Sequence, residues 1–299
     1  MSLVINNNLM AMNAARNLSQ SYGDLATSTR RLSSGLRVGT AADDAAGLAI
    51  RELMRADIAS LNQGVRNAND AISMIQTADG ALAVIDEKLI RMKELATQAA
   101  TGTYTSDQRL IIDSEYQAMA SEITRIANAT DFNGIYLLNG NLSSSVHNGE
   151  GLASTGRLKV HFGTGNSSAE DYYYIQIGNS TASALGVGNQ SDRSISSAGF
   201  SISTQQGAQQ ALDAINAAIT SKDNIRASLG ALQNRLENTI TNLSIQAENL
   251  QAAESRISDV DVAQEMTAFV RNQILTQAAV AMLAQANQLP QMAMQLMQG

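Results

Sequence analysis

The sequence predicts a mainly α protein. Long antiparallel, coiled-coil-like helices come from paired N- and C-terminal arms, and a small β-hairpin-containing insert separates them. Three observations carry this expectation. The 299 residues include one proline, Pro290, and only 4% aromatic residues, a composition poor in helix breakers and in the rings of an aromatic-cored α/β domain. Apolar residues recur in steps of three and four along both ends of the chain, the period of a helical seam. Residues 141–200 hold 9 of the 21 glycines, 15 serines or threonines and both histidines, His147 and His161, and helical patterning stops there.

The first seam runs Ile5, Leu9, Met12, Ala15, Leu18, Tyr22, Leu25, Thr29 and Leu32, and Gly35 follows as a C-terminal cap. A second runs Leu61, Val65, Ala68, Ile72, Ile75, Ala78, Leu82, Ile85, Leu89, Met92 and Ala96. Its solvated flanks carry Arg66 with Asp70 and Glu87 with Arg91 at i,i+4 spacing. Thr105-Ser106-Asp107-Gln108 reads as a capping box. It opens a third helix with Leu110, Ile111, Met119, Ile123 and Ile126 inward, ending near the Phe132-Asn133-Gly134 turn.

Within the insert, Arg157 to Phe162 and Tyr172 to Ile177 alternate residue by residue, and Gly163-Thr164-Gly165-Asn166 between them is turn chemistry. Ser203-Thr204-Gln205-Gln206 then reads as another capping box. The seam that follows passes through Leu212, Ile215, Ile219, Leu229, Leu232, Leu236, Ile240, Leu243, Ala247, Leu250 and Ile257. Ser258 is the expected cap of a last helix bearing Val262, Met266, Phe269, Ile274, Val280, Leu283, Leu289 and Leu296. The first and last seams have no other partner in the chain, so the arms pair antiparallel.

Charge is missing where it would be expected. No charged residue occurs from Met1 to Ala15 or from Asn272 to Gly299. The C-terminal stretch is no membrane span, because Gln273, Gln277, Gln285, Asn287, Gln288, Gln291, Gln295 and Gln298 interrupt it. A solvated surface helix normally carries Lys and Glu, so both ends read as surfaces to be enclosed by protein. One helix does not hold alone, and a two-helix pair leaves half of each surface wet. The arms are therefore expected to order when further copies pack around them. Met282, Met292, Met294 and Met297 give the tail an adaptable surface.

Catalytic and cofactor chemistry is not legible. The chain has no cysteine, hence no disulfide, thiolate or cysteine metal site. Neither GxSxG, HExxH, a Walker loop nor GxGxxG occurs. Gly163-Thr164-Gly165 and Gly186-Val187-Gly188 are turn triplets, and His147 with His161 lacks a third ligand pattern. Asp43-Asp44 and Asp259-Val260-Asp261 sit at expected helix starts, where capping explains them. A net charge of -7 with 20 scattered Lys and Arg residues excludes a basic nucleic-acid binder. The start, Met1-Ser2-Leu3-Val4-Ile5, lacks a basic region and a continuous apolar run, so no secretory signal peptide is expected.

Several segments together resemble bacterial flagellin. They are Asn6-Asn7-Asn8, Arg31-Leu32-Ser33-Ser34-Gly35-Leu36-Arg37, Ala41-Ala42-Asp43-Asp44-Ala45-Ala46-Gly47-Leu48-Ala49-Ile50, Phe132-Asn133-Gly134, Asn249 to Ile257 and Asp259-Val260-Asp261. The resemblance covers residues 1–140 and about 205–299. It implies an inner domain of 1–43 with 257–299, an outer helical domain of 44–140 with 201–256, and a variable insert, 141–200, belonging to the outer domain. It implies a structural, non-enzymatic subunit that assembles into the helical flagellar filament for swimming. The alternative is a hook–filament junction protein, which shares these terminal helices.

The resemblance further implies export by the flagellar secretion apparatus without a cleaved signal peptide, and an extracellular filament. Implied partners are other copies of the chain, hook-associated and cap proteins, and an export chaperone at the C-terminal tail. No cofactor, metal, nucleic acid or membrane is expected. Ile5, Leu9, Leu18, Leu25, Ile274, Leu283, Leu289 and Leu296 would form the polymerisation core. Arg91, Leu95 and Glu115 match residue types on the surface bound by the animal Toll-like receptor for flagellin. Within Arg30 to Arg51, the residues Arg31, Leu32, Ser33, Gly35, Asp43, Asp44 and Gly47 match the epitope of the plant flagellin receptor kinase.

Overall fold

A computed structural model describes residues 8–144, 156–168, 170–188 and 201–298, with side chains in the last helix described to 288 and at 292. Five helices and two small hairpins follow one another. They are α1 (Leu9–Ser34), α2 (Ala45–Ala100), α3 (Ser106–Ala129), β1 (Asp131–Phe132), β2 (Ile135–Tyr136), β3 (Leu158–His161), β4 (Tyr172–Ile175), α4 (Gln205–Ser258) and α5 (Val262–Gln298). The described chain is thus mainly helical, with a hairpin in the insert. It divides into two compact units, Met1–Ile58 with Glu248–Gly299 and Ala59–Ala247. Among the described residues, no helix is long and apolar enough to cross a membrane.

The unit of residues 59–247 holds the hydrophobic core. The seam read from α2 is its spine: Ala68, Ile75, Ala78, Leu82, Ile85, Leu89, Met92 and Ala96 are all buried. α3 adds Tyr116, Ala120, Ile123 and Ala127, and α4 adds Ala211, Ile215, Leu229 and Leu236. Burial also raises the Tyr116 phenol well above the usual tyrosine range, with the Asp113 charge as a lesser cause. Thr105 caps α3 as read, its hydroxyl accepting from Gln108 N while Gln108 returns the bond to Thr105 N. Yet Leu110 and Ile111 point outward. The inward stripe passes through Ile112, Tyr116 and Ala120 instead, because the single large aromatic of the helix takes the core position. α2 has no basic residue in its last turn. Arg109 supplies that charge from α3, donating from Nε to Ala99 O and from Nη2 to Thr101 O, both at 2.9 Å.

The flank pairs also differ from expectation. Arg66 donates to Gln63 Oε1 rather than meeting Asp70. Arg91 turns from Glu87 to Glu94 and, across to α3, to Glu115 at 2.8 Å. At the end of α3 a two-residue turn reverses the chain. Asn133 and Gly134 have φ of 53° and 80°, the paired positive values of a tight hairpin turn that Asn-Gly satisfies.

β3 and β4 pair antiparallel, Leu158 opposite Ile175 through His161 opposite Tyr172, which places the expected second hairpin within slightly shorter strands. One face packs inward through Val160 and Ile175. Tyr173 lies against Phe162 at 4.7 Å between ring centroids, and the Arg235 guanidinium stands 3.6 Å over its ring. Lys159 and Arg157 cover Tyr172 and Tyr174. The hairpin comes close to α2 at Gly64, where a Cβ would lie 2.0 Å from Phe162 O. Asn67 Nδ2 donates to the neighbouring His161 O at 2.8 Å.

Thr204, not Ser203, caps α4: its hydroxyl accepts from Gly207 N at 3.0 Å. The third residue of the helix is therefore glycine, and no reciprocal glutamine completes the box. Between Ile219 and Leu229 the α4 seam keeps Ile225, half-buried against the core, and ions occupy the positions beside it. Lys222, 2% exposed, donates to Asp86 of α2 at 2.5 Å and forms an ion pair with Asp223 at 2.8 Å. Arg226 grips Asp79 with two bonds of 2.7 and 3.1 Å. This holds the Asp79 carboxyl below the usual aspartate range.

Candidate assembly surface of the paired termini

α1 and α5 pair antiparallel. Asn8 caps α1 by accepting from Ala11 N at 3.1 Å, and its amide donates to Ala286 O of α5 at 2.7 Å. At the other end, Leu36 forms an antiparallel bridge with Asp259. The stripe each helix turns to the other is not the one with the largest side chains. On α1 it passes through Ala11, Ala14, Leu18, Ser21, Leu25 and Ser28, and on α5 through Ala268, Phe269, Asn272, Thr276, Ala279, Leu283 and Ala286. Small side chains let two helix axes come close, so the small-residue stripe wins the intramolecular contact.

The larger residues are left outside. Leu9 is 65% exposed and Ile274 60%, and Met12, Tyr22, Val262, Met266, Val270, Leu275, Val280 and Met282 are exposed with them. Of the expected polymerisation core, Leu18, Leu25 and Leu283 are half-buried in the pair, whereas Leu9 and Ile274 face outward. Ile5 lies outside the described residues, as do the side chains of Leu289 and Leu296. Scattered exposed apolar side chains are ordinary, but this many along two paired helices whose outer ends carry no charge mark an interaction surface.

The far end of the pair is stitched shut. Gly35, with φ of 72°, closes α1 by donating to Arg31 O at 2.8 Å, a left-handed cap that glycine adopts without strain. Val260 N donates to Gly35 O at 3.0 Å, Arg37 N to Ser258 O at 2.6 Å, and Arg37 Nη2 to Ile257 O at 2.6 Å. Arg51, nearly buried, donates to Val38 O at 2.6 Å. The cap of α5 is Asp261, which accepts from Ala263 N and Gln264 N at 2.9 and 3.2 Å. Ser258, expected in that role, ends α4 as a buried residue.

The acidic pairs divide their work. Asp44 caps α2, accepting from Gly47 N at 2.9 Å. A Cβ at Gly47 would lie 2.5 Å from that carboxylate, so glycine lets it fold back. Asp43 ties the loop instead, accepting from Thr40 N at 3.0 Å, Thr40 Oγ1 at 2.8 Å and Arg30 Nη2 at 2.8 Å. The Thr40 hydroxyl foremost, with the Arg30 charge, holds the Asp43 carboxyl below the usual aspartate range. Its folded value is depressed, so its contribution is present above the ordinary, unfolded value. That contribution is lost as pH falls through the lower folded value. The Asp43 carboxyl signal in an NMR titration is accordingly expected to have its midpoint below 3.8, the ordinary value, and Thr40→Ala is expected to raise it. A midpoint at the ordinary value contradicts the assignment.

Among the described residues, no group of three His, Cys, Asp or Glu side chains could hold a metal ion. His161 Nδ1 lies 2.8 Å from Asp171 O, and His147 is outside the described residues.

Comparison with known proteins decides the family. The model of the bacterial flagellin N-terminal helical region matches residues 5–143, and that of the C-terminal helical region matches 212–297. A flagellin of Halalkalibacterium halodurans is 42% identical over 295 residues, 99% of this chain and 100% of its own. The chain belongs to the bacterial flagellin family. A 33 kDa flagellar filament core protein of Treponema phagedenis is 41% identical over 295 residues, 99% of this chain and 100% of its own. The crystal structure of a Bacillus cereus flagellin is 26% identical and aligns over 63% of this chain and 94% of its own, with a TM-score of 0.46.

On this flagellin, Arg91 and Glu115 are exposed partners of one ion pair, with side chains 48% and 44% accessible. Leu95, which the resemblance assigns to the same surface, is instead 2% exposed and belongs to the core of α2. It lies one helical turn from Arg91 on the inward stripe with Met92 and Ala96, so it supports the surface from below. The residues matched to the plant epitope lie along α1 and the stitched joint. Ser33 and Gly35 are exposed, and Arg31, Leu32, Asp43 and Asp44 are half-buried. Gly47 is buried beneath the Asp44 cap.

Proposed function

We propose that this flagellin is a structural, non-enzymatic subunit that self-assembles into the helical filament of a bacterial flagellum and serves swimming. One observation carries the reading. The paired helices, uncharged through Ala15 on α1 and from Asn272 on α5, keep many of their large apolar side chains outside, and further copies of the same pair offer a matching surface along their length. The deciding experiment incubates purified monomer with sonicated filament fragments and follows growth by electron microscopy. Long filaments extending from the seeds are expected. A product limited to a short ring favours a hook–filament junction protein instead. Deleting 272–299 is expected to abolish growth while circular dichroism retains the helices of 44–256. Growth without that segment would overturn the reading.

The same reading makes the filament extracellular. Its subunits leave through the flagellar secretion apparatus without a cleaved signal peptide, the C-terminal tail held by an export chaperone, and meet hook-associated and cap proteins at the filament ends. Residues 1–43 with 257–299 form the inner domain, 44–140 with 201–256 the outer helical domain, and 141–200 the variable part of the outer domain. The Arg91–Glu115 surface is the proposed contact of an animal Toll-like receptor, and the segment 30–51 that of a plant receptor kinase. Support for the first is the solvent access of both paired side chains.

A further inference from the structure

We propose that the ion-pair ladder Lys222–Asp86 and Arg226–Asp79 selects the register in which α4 lies against α2. The apolar contacts on either side are poor at this task. Beside leucines and isoleucines, α2 presents Ala68, Ala71 and Ala78 inward, and α4 presents Ala208, Ala211 and Ala218. Alanines repeated at helical spacing offer nearly the same surface after a shift of one turn, about 5.4 Å. Sliding one helix past the other by that step still sets apolar side chains against apolar side chains.

The ladder is different, because its rungs are unlike. Lys222 takes an inward position of the α4 seam, 2% exposed, where a leucine would continue the pattern. Its ammonium has two acceptors, Asp86 across the interface and Asp223 on its own helix. One turn further on, Arg226 holds both Asp79 oxygens in a planar fork. The rungs sit seven residues apart on α2 and four apart on α4. A one-turn shift therefore takes Asp86 away from Lys222 and leaves a buried ammonium with Asp223 of its own helix and no acceptor from α2. A buried polar residue at one seam position costs stability while penalising every alignment that leaves it unmatched. That is the role the geometry assigns to Lys222.

The chain has no cysteine, so two introduced cysteines can be labelled without background. Nitroxide labels at the exposed positions Gln76 and Asn234 would report the α2–α4 distance by pulsed electron resonance in the dilute full-length monomer. The parent is expected to give one narrow distance. Lys222→Leu is expected to add a second distance, displaced by up to about 5 Å, and Lys222→Arg to restore a single one. Arg125→Ala, which removes an exposed pair with Glu122 on α3, serves as the control and should change nothing. An unshifted, single distance in Lys222→Leu overturns the proposal, because packing alone would then set the register. Should that variant fail to fold, Arg226→Met breaks the more exposed rung. A second distance there supports the ladder, and an unchanged single one overturns it. Filament growth is not part of the readout, so failure here is separable from failure of the assembly reading.

Discussion

Gly64→Ala is expected to destabilise the unit of residues 59–247 by about 2 kcal/mol, although alanine is the better helix former. In an exposed helix interior the exchange gains roughly 1 kcal/mol. At Gly64 the added methyl would lie 2.0 Å from Phe162 O, 2.7 Å from its carbonyl carbon and 2.9 Å from its Cα. All three are backbone atoms of the segment that leaves β3, so no side chain can rotate away. Either the hairpin lifts from α2, losing the Asn67–His161 bond, or the helix bends. Overpacking of this kind costs about 1–3 kcal/mol. The control is on the same helix: Gly80 has nothing within 4 Å of an added Cβ, and Gly80→Ala is expected to stabilise by about 0.5–1 kcal/mol. Urea midpoints of the two variants should move in opposite directions. A rise in both means that β3 is not seated on Gly64.

Asp86→Ala is expected to cost about 3 kcal/mol. The variant strands Lys222 at 2% exposure with only Asp223, itself largely solvated, to balance it. Removing one partner of a buried pair costs about 3–5 kcal/mol, most of it the uncompensated charge. The retained Asp223 contact places this case at the lower end. The double variant Lys222→Leu with Asp86→Leu removes charge and partner together and is expected to lie within about 1 kcal/mol of the parent. Urea is the proper denaturant, since guanidinium is a salt that screens the pair being measured. Equal losses in the single and double variants would mean that the pair contributes as a contact and not through the cost of an unmatched charge.

The parts of the fold that were legible in the sequence are those where one physical signal acts alone. α2 reads correctly from Leu61 to Ala96 because its apolar stripe meets the core over its whole length. Gly35 and the Thr105 box read correctly because a cap is settled within four residues. α3 misled at Leu110 and Ile111: hydrophobicity marks them inward, but the volume of Tyr116 decides which face meets α2. Lys222 was passed over because seam counting accepts apolar residues and skips the rest. Its signal was the charged step at 222, midway between Ile219 and Ile225 of the α4 seam, while α2 carries Asp79 and Asp86 two turns apart. The terminal pair shows the same limit from the other side. Large residues were expected to dominate the α1–α5 contact, whereas it mixes Leu18, Leu25 and Leu283 with alanine, serine and threonine. Of the residues named for assembly, Leu9 and Ile274 are left uncovered and three leucines are half-buried in the pair.

The stitching of Gly35 and Arg37 to Ser258 and Val260 gives the two arms a common zero point, and this limits how the gene can change. Each added residue turns everything beyond it by about 100° around the helix axis. A single insertion between residues 9 and 34 would swing the remote part of α1 off its small-residue stripe, while α5 stayed where it was. Only a gain of whole turns, matched in both arms, would keep alanine against alanine and leave the oily exterior in one line. Growth or shrinkage of the coding sequence is thus expected to be tolerated where the helices have stopped, between the last residue of α3 and the first of α4, and refused on either side of the joint.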